Sequence, residues 1–237
     1  MRKHRMLLSS LLLSVLIPLS AFQTFSCELT VRLEHYAPES QKNSSDAWSG
    51  VDKELTSTLL QQAQCRYSIV EIAWARSLIM LANGEVDLMI NVSKTPERSR
   101  SFYFIGPIRD EVIVLATLAG AQFKLNEVSD ITTLDKPIAI QRNAYYGEAI
   151  DSLLQQAEYQ HHFIHVTDNK TKLKLLKRGR ISGFLEAKRN IINSVNSDTD
   201  FDNVWFKPLV FHTNPIYFAL SKKSISTDMK SKIEQSF

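Results

Sequence analysis

The protein is a chain of 237 residues, of which 44% are hydrophobic and 22% are charged, a globular composition that excludes a disordered or fibrous chain. Lys and Arg number 28 against 25 Asp and Glu, and Arg2, Lys3 and Arg5 precede the first acidic residue, Glu28. The remaining 25 basic and 25 acidic residues balance. The body of the chain therefore lacks the surplus positive charge that a protein needs to bind nucleic acid or a membrane surface.

The first 26 residues have the layout of a secretory signal. A basic start, residues 1–5, is followed by an apolar stretch, 6–17, and then by Pro18 and a segment of small residues. This stretch of 12 residues is too short to span a bilayer, which takes roughly 20. We therefore predict export to the periplasm with cleavage after Ala21 or Ser26; an uncleaved anchor and a lipid on Cys27 are the alternatives.

Strand and helix patterns alternate along the first half of the mature chain, which favours an α/β architecture with largely parallel sheets. Gly84 fits the left-handed residue that closes a helix. The predicted elements are a strand at 28–33, a helix at 51–63, a strand at 66–72, a helix at 75–83, a strand at 86–90 and an extended segment at 111–118.

The alternation restarts in the second half, after a helix N-cap predicted at Ser129. The predicted elements are strands at 137–141, 163–166, 181–185 and 204–206, helices at 145–157, 169–177 and 187–195, an extended segment at 216–220 and a helix from about Thr227. Two units joined by extended crossings indicate two lobes. We place lobe 1 at 27–115 plus 213–237, and lobe 2 at 116–212.

The two cysteines each directly precede a predicted strand. If those strands are parallel neighbours, Cys27 and Cys65 lie at one edge of a sheet and can form a disulfide, which the periplasm favours. Closing a loop of this size stabilises the fold by about 4 kcal/mol in the chain-entropy description. Two buried free thiols are the alternative.

Motifs for nucleotide, hydrolase and metal chemistry are missing from the sequence. The seven glycines form no phosphate-binding loop, and neither a GxSxG turn nor an HExxH helix occurs. His161, His162 and His165 cluster, but a strand would place His162 on the opposite face and no Cys or carboxylate completes a zinc set. We expect no metal and no cofactor, and we interpret the histidines as a partly exposed strand edge.

The segment from Trp74 to Arg98 carries the clearest candidate for binding. A strand ending near Asn91 would deliver Ser93 and Arg98 beyond its carboxyl end, where open α/β sheets bind ligands. Arg offers a planar fork for a carboxylate, Ser adds a neutral donor and Trp a flat wall. These residues predict a clamp for a small anion. The alternative is a surface loop in which Arg98 pairs with Glu97 or Asp87 and Trp74 is ordinary core.

Four motifs give the sequence a resemblance to a known family. They are Gly50-Val51-Asp52 with Leu55, the Trp74 to Asp87 run, Thr95-Pro96-Glu97-Arg98, and Phe104-Ile105-Gly106-Pro107. Together they resemble the family-3 periplasmic solute-binding proteins of the amino-acid-binding type. The resemblance covers nearly the whole mature chain. It implies a type II periplasmic-binding-protein fold, in which two lobes close by a hinge on a ligand held in the cleft.

The resemblance also implies a set of ligand-binding residues. Arg98 would bind the ligand carboxylate, Ser93 and the backbone near Asn91 would add hydrogen bonds, and Tyr36 and Trp74 would form aromatic walls. In the second lobe, Gln141, Asn143 and Ala144 occupy the place of the family's Gly-Thr or Gly-Ser turn.

Two departures from the family pattern affect the predicted ligand. Asn143-Ala144 replaces the Gly-Thr pair, and Ala187 stands where the family has the Asp that pairs with the ligand ammonium, with Glu186 one residue earlier. A one-residue slip in a strand turns a side chain to the other face, although a strand end can turn it back. An amino acid is therefore one expected ligand, and a carboxylate without the amine is the other.

The function that follows is capture of a small carboxylate-bearing solute by a monomeric periplasmic protein for a membrane ABC permease. One alternative is a sensory module that presents the ligand-bound state to a membrane kinase or cyclase. A more remote one is a dehydratase-like enzyme in which Glu186 is the acid. The leading hypothesis has no enzymatic activity.

Overall fold

The structure is a computed structural model, and it describes residues 27–237; the predicted signal segment lies outside them. The strands are β1 Glu28–Leu33, β2 Gln41–Lys42, β3 Trp48–Ser49, β4 Arg66–Glu71, β5 Leu88–Ser93, β6 Phe102–Leu118, β7 Ile138–Gln141, β8 Phe163–Val166, β9 Gly183–Ala187 and β10 Val204–Ser221. The α-helices are α1 Val51–Gln62, α2 Trp74–Asn83, α3 Arg98–Ser101, α4 Glu148–Gln155, α5 Asn169–Lys177, α6 Lys188–Ser197 and α7 Thr227–Glu234. None of these helices is long and apolar enough to cross a membrane.

Eight strands form one continuous sheet in the order β4-β1-β5-β10-β6-β9-β7-β8. At one end β1 pairs in parallel with β4 and β5, and at the other β7 pairs in parallel with β8 and β9. The two long central strands, β6 and β10, are antiparallel to each other and to these outer strands. This arrangement confirms the predicted α/β class and the two-lobed fold with its cleft between the lobes.

The two lobes are connected by β6 and β10, which are long enough to serve both. Their pairing runs from Val204 opposite Leu118, in the second lobe, to Ser221 opposite Phe102, in the first. The predicted lobe boundaries, between 115 and 116 and between 212 and 213, fall inside these two strands and stay a prediction.

Helices cover both faces of each half of the sheet, because the strand residues alternate between two apolar surfaces. In the first lobe Val31 and Leu88 pack with Leu60 of α1, while Met89 packs with Leu81 of α2 on the other face. In the second lobe separate clusters contain Ile138 with Ile150 of α4, and Phe184 with Leu176 of α5 and Ile191 of α6. These packed layers hold the carboxyl ends of β1, β5, β7 and β9 towards the cleft.

The predicted disulfide is present in the structure. Cys27 and Cys65 are bonded, with their Cα atoms 4.7 Å apart. Strands β1 and β4 are parallel neighbours in register, with Glu28 opposite Arg66, so the geometric condition on which the prediction depended is confirmed.

Several predicted element boundaries differ from those in the structure. The predicted strands at 204–206 and 216–220 are parts of one strand, β10, because pairing with β6 continues across the polar residues and Pro215 between them. The N-cap predicted at Ser129 is wrong. Glu127 caps a 3-10 turn at Val128–Thr133, because its backbone N–H and that of Asn126 donate to the Asp130 carboxylate.

Candidate functional site

A cavity of about 70 Å³ lies between the lobes, at the carboxyl ends of β1, β5, β7 and β9. Open α/β sheets bind ligands at this edge, and the volume has room for several water molecules. Seven of the predicted site residues line it: Tyr36, Trp74, Asn91, Ser93, Gln141, Ala144 and Glu186. The structure therefore brings seven of the nine predicted site residues together around this cavity.

Arg98 and Asn143, the other two predicted residues, lie at the seam between the cavity and an outer groove. The Arg98 guanidinium donates through Nη1 to the Ser93 carbonyl at 3.0 Å and through Nη2 to the Asn143 carbonyl at 2.8 Å. Trp74 donates its indole Nε1–H to the same Asn143 oxygen at 3.2 Å. Two donors of the first lobe thus converge on one oxygen of the second.

The environment of Arg98 differs from that of a surface loop. Its guanidinium stacks on Trp74, 5.8 Å from the ring centroid, and burial lowers the pKa of its side chain while Glu97 acts in the opposite direction. Asp87, offered as an alternative partner, accepts from the Thr30 backbone N–H at 2.7 Å and from the Ser224 hydroxyl. Arg98 is therefore not paired with Asp87.

Trp74 serves both as a wall of the cavity and as part of the core. It is 8% exposed and packs with Leu81, Val92 and Phe102 in the first lobe. A second guanidinium, that of Arg32, lies 5.5 Å from its ring centroid. Cation–π contact with two arginines holds the ring where both lobes meet.

Glu186 faces the cavity from inside β9, so the one-residue departure from the family pattern does not turn it away. Its carboxylate accepts from the Tyr36 hydroxyl at 2.6 Å and from Lys172 Nζ at 2.9 Å. Lys172 is 1% exposed; burial alone would lower its pKa, but the Glu186 charge raises it overall. The charge of Glu186 is therefore balanced by Lys172. Ala187 beside it ends β9 and is the N-cap residue of α6.

Asn91 belongs to a buried polar network that the sequence did not reveal. Its side-chain amide donates to Asp52, and its Oδ1 accepts from Arg109 at 2.8 Å. Arg109 also pairs with Asp52 at 3.3 Å and with Glu39 at 3.8 Å. Burial raises the pKa of Asp52 to about 6, although Arg109 opposes the shift. The side chain of Asn91 is thus committed to contacts within its own lobe.

Three charged residues of the cavity wall were also missed from the sequence. Arg32 is 5% exposed; it lies 2.5 Å from Glu34 and donates to the Ile72 carbonyl at 2.8 Å. Glu111 lines the cavity from β6. Burial raises its pKa to about 7, and the nearby Glu186 charge adds to the shift. All three lie in or beside strands, where a charged residue between apolar ones usually indicates a solvent-facing position.

The second-lobe wall is a tight turn after β7. The Ala144 backbone N–H donates to the Gln141 carbonyl at 3.2 Å, and Asn143 has a φ of 61°, in the left-handed region that Asn tolerates. The Gln141 backbone N–H donates to the Tyr146 hydroxyl at 3.0 Å. These bonds fix the turn, which presents the Asn143 carbonyl to Arg98 and Trp74 of the first lobe.

A second set of contacts crosses the cleft on the side of Tyr36. The Asn190 side chain, on α6, donates to the Ala37 carbonyl at 2.8 Å and to the Glu39 carboxylate at 2.7 Å. Arg189 lies 3.3 Å from the same carboxylate. The lobes are thus joined on both sides of the cavity.

The histidine cluster has a different geometry from the predicted strand edge. His161 and His162 lie in a 3-10 turn, Gln160–His162, and His165 lies in β8. Within residues 27–237, no group of three His, Cys, Asp or Glu side chains could hold a metal ion.

Comparison with known proteins places the chain among extracellular binding proteins. The model of the family described as bacterial extracellular solute-binding proteins, family 3, matches residues 29–234. The arginine-bound form of truncated ArgBP from T. maritima is 17% identical with a TM-score of 0.74, over 88% of this chain and 94% of that chain. ArtJ, the arginine-, lysine-, histidine-binding protein of Geobacillus stearothermophilus, is 19% identical with a TM-score of 0.74, over 88% and 87%. A histidine kinase sensor domain with similarity to periplasmic binding proteins is 14% identical with a TM-score of 0.75, over 88% of each chain.

Proposed function

Because the chain belongs to the bacterial extracellular solute-binding proteins of family 3, we propose that it captures a small carboxylate-bearing solute for a membrane ABC permease. The solute, an amino acid or a relative of one, binds in the cleft between the lobes. The protein acts in the periplasm as a monomer, and the basic segment at residues 2–5 belongs to its export signal.

The observation that carries this proposal is the convergence of Arg98 and Trp74 on a single oxygen. Both donate to the Asn143 carbonyl, at 2.8 and 3.2 Å, from the edge of the cavity. A ligand carboxylate supplies the same kind of acceptor with a full charge, and hydrogen bonds between charged groups are roughly twice as strong as neutral ones. We infer that the carboxylate displaces the Asn143 carbonyl and that Ser93 contributes a further donor.

A sensory role is the second candidate, and the sensor-domain neighbour of similar fold favours it. The same closure on a ligand would then be presented to a membrane kinase or cyclase instead of a permease. Uptake of the identified ligand by cells that lack this protein separates the two roles, because loss of uptake supports transport and unchanged uptake supports sensing.

An enzymatic role is the remaining alternative. A dehydratase-like reaction needs a carboxyl group that gives up a proton, whereas Glu186 is held by Lys172 and Tyr36. Turnover of a prephenate-like substrate by the purified protein would support this alternative against simple binding.

A thermal-shift screen tests the binding proposal. Protein produced from the full-length chain is heated with the twenty L-amino acids and with short mono- and dicarboxylates. A ligand present at 100 times its dissociation constant stabilises the folded state by about 2.7 kcal/mol, which raises the midpoint of unfolding by several degrees. Stabilisation by at least one carboxylate supports the proposal, and stabilisation by none contradicts it.

A further inference from the structure

The charges on the cavity wall are paired, with one exception. Four carboxylates line the cavity: Glu34, Asp52, Glu111 and Glu186. Glu34 pairs with Arg32, Asp52 with Arg109, and Glu186 with Lys172. Within residues 27–237, Glu111 alone among the four has neither an ion pair nor a hydrogen bond.

A second acceptor without a donor lies beside Glu111. Asn214 is directly opposite Glu111 in the pairing of β10 with β6, so the two side chains share a face of the sheet. Asn214 is 8% exposed and donates its side-chain amide to the Pro215 carbonyl at 3.1 Å, whereas its buried Oδ1 receives no donor from the described residues. Buried acceptors without donors cost free energy, and a functional site is one place where that cost is tolerated.

Glu186, on β9, is a poor candidate for binding a further positive charge, because it already has partners. Lys172 and the Tyr36 hydroxyl already occupy its two carboxylate oxygens. A ligand ammonium there would have to compete with a buried lysine of the same charge, which makes that side of the cavity unfavourable for it.

We propose that Glu111 is the group that binds a positively charged nitrogen of the ligand. An ammonium has three N–H donors, and the Glu111 carboxylate faces the cavity where it can accept from them. Asn214 Oδ1, across the strand pair from Glu111, lies outside the cavity lining. With the carboxylate of the ligand at Arg98, the protein selects solutes that carry both a carboxylate and a cationic nitrogen. This inference rests on the proposed function, and it names the class of ligand.

Matched solutes test the inference on protein produced from the full-length chain. Isothermal titration compares the tightest L-amino acid of the screen with the same molecule lacking its α-amino group. We expect the deaminated analogue to bind the wild-type protein at least tenfold more weakly, since it lacks the charged donor of a charge-assisted hydrogen bond. Tightest binding of an amine-free carboxylate by the wild-type protein would overturn the inference and leave the proposed function standing, and binding of no solute would overturn both.

Substitution assigns the preference to Glu111. Glu111→Gln keeps the shape and removes the charge, so we expect it to weaken the amino acid about 10- to 100-fold and to abolish the preference over the deaminated analogue. Asp110→Asn is the matched control, because Asp110 is exposed and adjacent on β6; it should change affinity less than twofold. Glu111→Asp retains the charge and should retain the preference. A preference that survives in Glu111→Gln refutes the assignment, and far-UV circular dichroism verifies that each variant is folded.

The pH dependence gives an independent readout. Glu111 must be ionised to bind a cation, and its pKa is raised to about 7 by burial and by Glu186, against the opposing charges of Arg109 and Lys172. The affinity of the wild-type protein for the amino acid should therefore fall about 30-fold from pH 8 to pH 5.5. Asp52, with a pKa of about 6, titrates in the same window, so the part of the dependence that Glu111→Gln removes is the part due to Glu111. An unchanged dependence in that variant contradicts the inference.

Discussion

The charged side chains around the cavity are arranged so that buried charge is compensated almost everywhere. Lys172 and Glu186 are both nearly inaccessible and lie 2.9 Å apart, and breaking such a pair costs more than forming it yields. Glu111 is the exception, because its carboxyl group lies in the cavity wall, half-buried and without a partner. An unpaired carboxylate of this kind destabilises the ligand-free protein at a pH where it is ionised. The effect on the free energy of unfolding can therefore be measured without knowing the ligand.

Glu111 should therefore reduce stability only at high pH. Its pKa in the folded protein is about 7, against 4.5 ordinarily, so below pH 4.5 it is protonated in both states and above pH 7 the folded state must hold a buried charge. We expect Glu111→Gln to be more stable than wild type by roughly 1–3 kcal/mol at pH 8 and equal to it near pH 4.5. Urea unfolding at both pH values measures the difference. The same difference at both pH values, or an equal effect of Asp110→Asn, would contradict this account.

For individual residues, the sequence predicted the site residues that belong to recognisable motifs. It missed those that reach the cavity only because of tertiary packing. Trp74, Ser93 and Arg98 follow from a recognisable spacing, and the structure brings them to the cleft. Glu111 lies in an extended segment whose sequence pattern does not indicate which face of the strand is exposed to solvent. Its position in the cavity depends on the apposition of the two lobes, which no local pattern records.

At the scale of elements, the loop between β1 and α1 determines where Tyr36 and Glu39 lie. Gly50, which ends this loop, has a φ of 109°, and a Cβ there would come within 2.4 Å of the Glu39 carbonyl oxygen. The same oxygen accepts from the Asp52 backbone N–H at 2.9 Å, at the start of α1. The loop and the helix therefore require glycine at this position.

Gly50→Ala should displace the loop and loosen its contact with the second lobe. Steric overlap with backbone, added to a left-handed φ, should destabilise the protein by about 1–3 kcal/mol. Gly120→Ala is the control, because a Cβ at Gly120 meets nothing within 4 Å and should change the free energy of unfolding by less than about 0.5 kcal/mol. Differential scanning calorimetry compares the two; equal stability of both variants would contradict the steric argument.

Whether a segment forms a helix or a strand was predictable where the hydrophobic periodicity agrees with the residues that begin and end the element. The helix at 169–177 has the predicted bounds, and the helix that begins at Trp74 ends at Gly84 with the expected left-handed conformation. The long strand β10 was not predictable as one element. Its central residues are polar and include Pro215, and they are held extended by β6, a partner about 100 residues away in the chain.

At the scale of the whole molecule, two groups of contacts hold the lobes together, one on either side of the cavity. Asn190 joins α6 to the loop at Ala37 and Glu39, and Arg98 joins α3 to the turn at Asn143. Contacts that form without ligand raise the population of the closed state, and a ligand that bridges both lobes adds to them. The relative strength of the contacts between the lobes and of the contacts made by the ligand therefore determines how strongly ligand binding drives closure.

Asn190→Ala should shift the ligand-free protein towards an open form. It removes two hydrogen bonds between the lobes, of which one is to a carboxylate, and we expect the affinity for ligand to fall about 3- to 30-fold. Small-angle scattering should show a larger radius of gyration that ligand restores. Asn196→Ala, exposed on the same helix, is the control, and an equal response of both variants would show that Asn190 does not hold the lobes together.

The central claim is that a solute carboxylate binds at Arg98 between the lobes, and one titration tests it most directly. The carboxylate that most stabilises the wild-type protein is titrated calorimetrically into Arg98→Ala and into Arg180→Ala, whose arginine is exposed and outside the cavity lining. We predict that Arg98→Ala loses about 10- to 100-fold in affinity, the worth of a charge-assisted hydrogen bond, and that Arg180→Ala binds as the wild type does. Wild-type affinity in a folded Arg98→Ala protein would contradict the account.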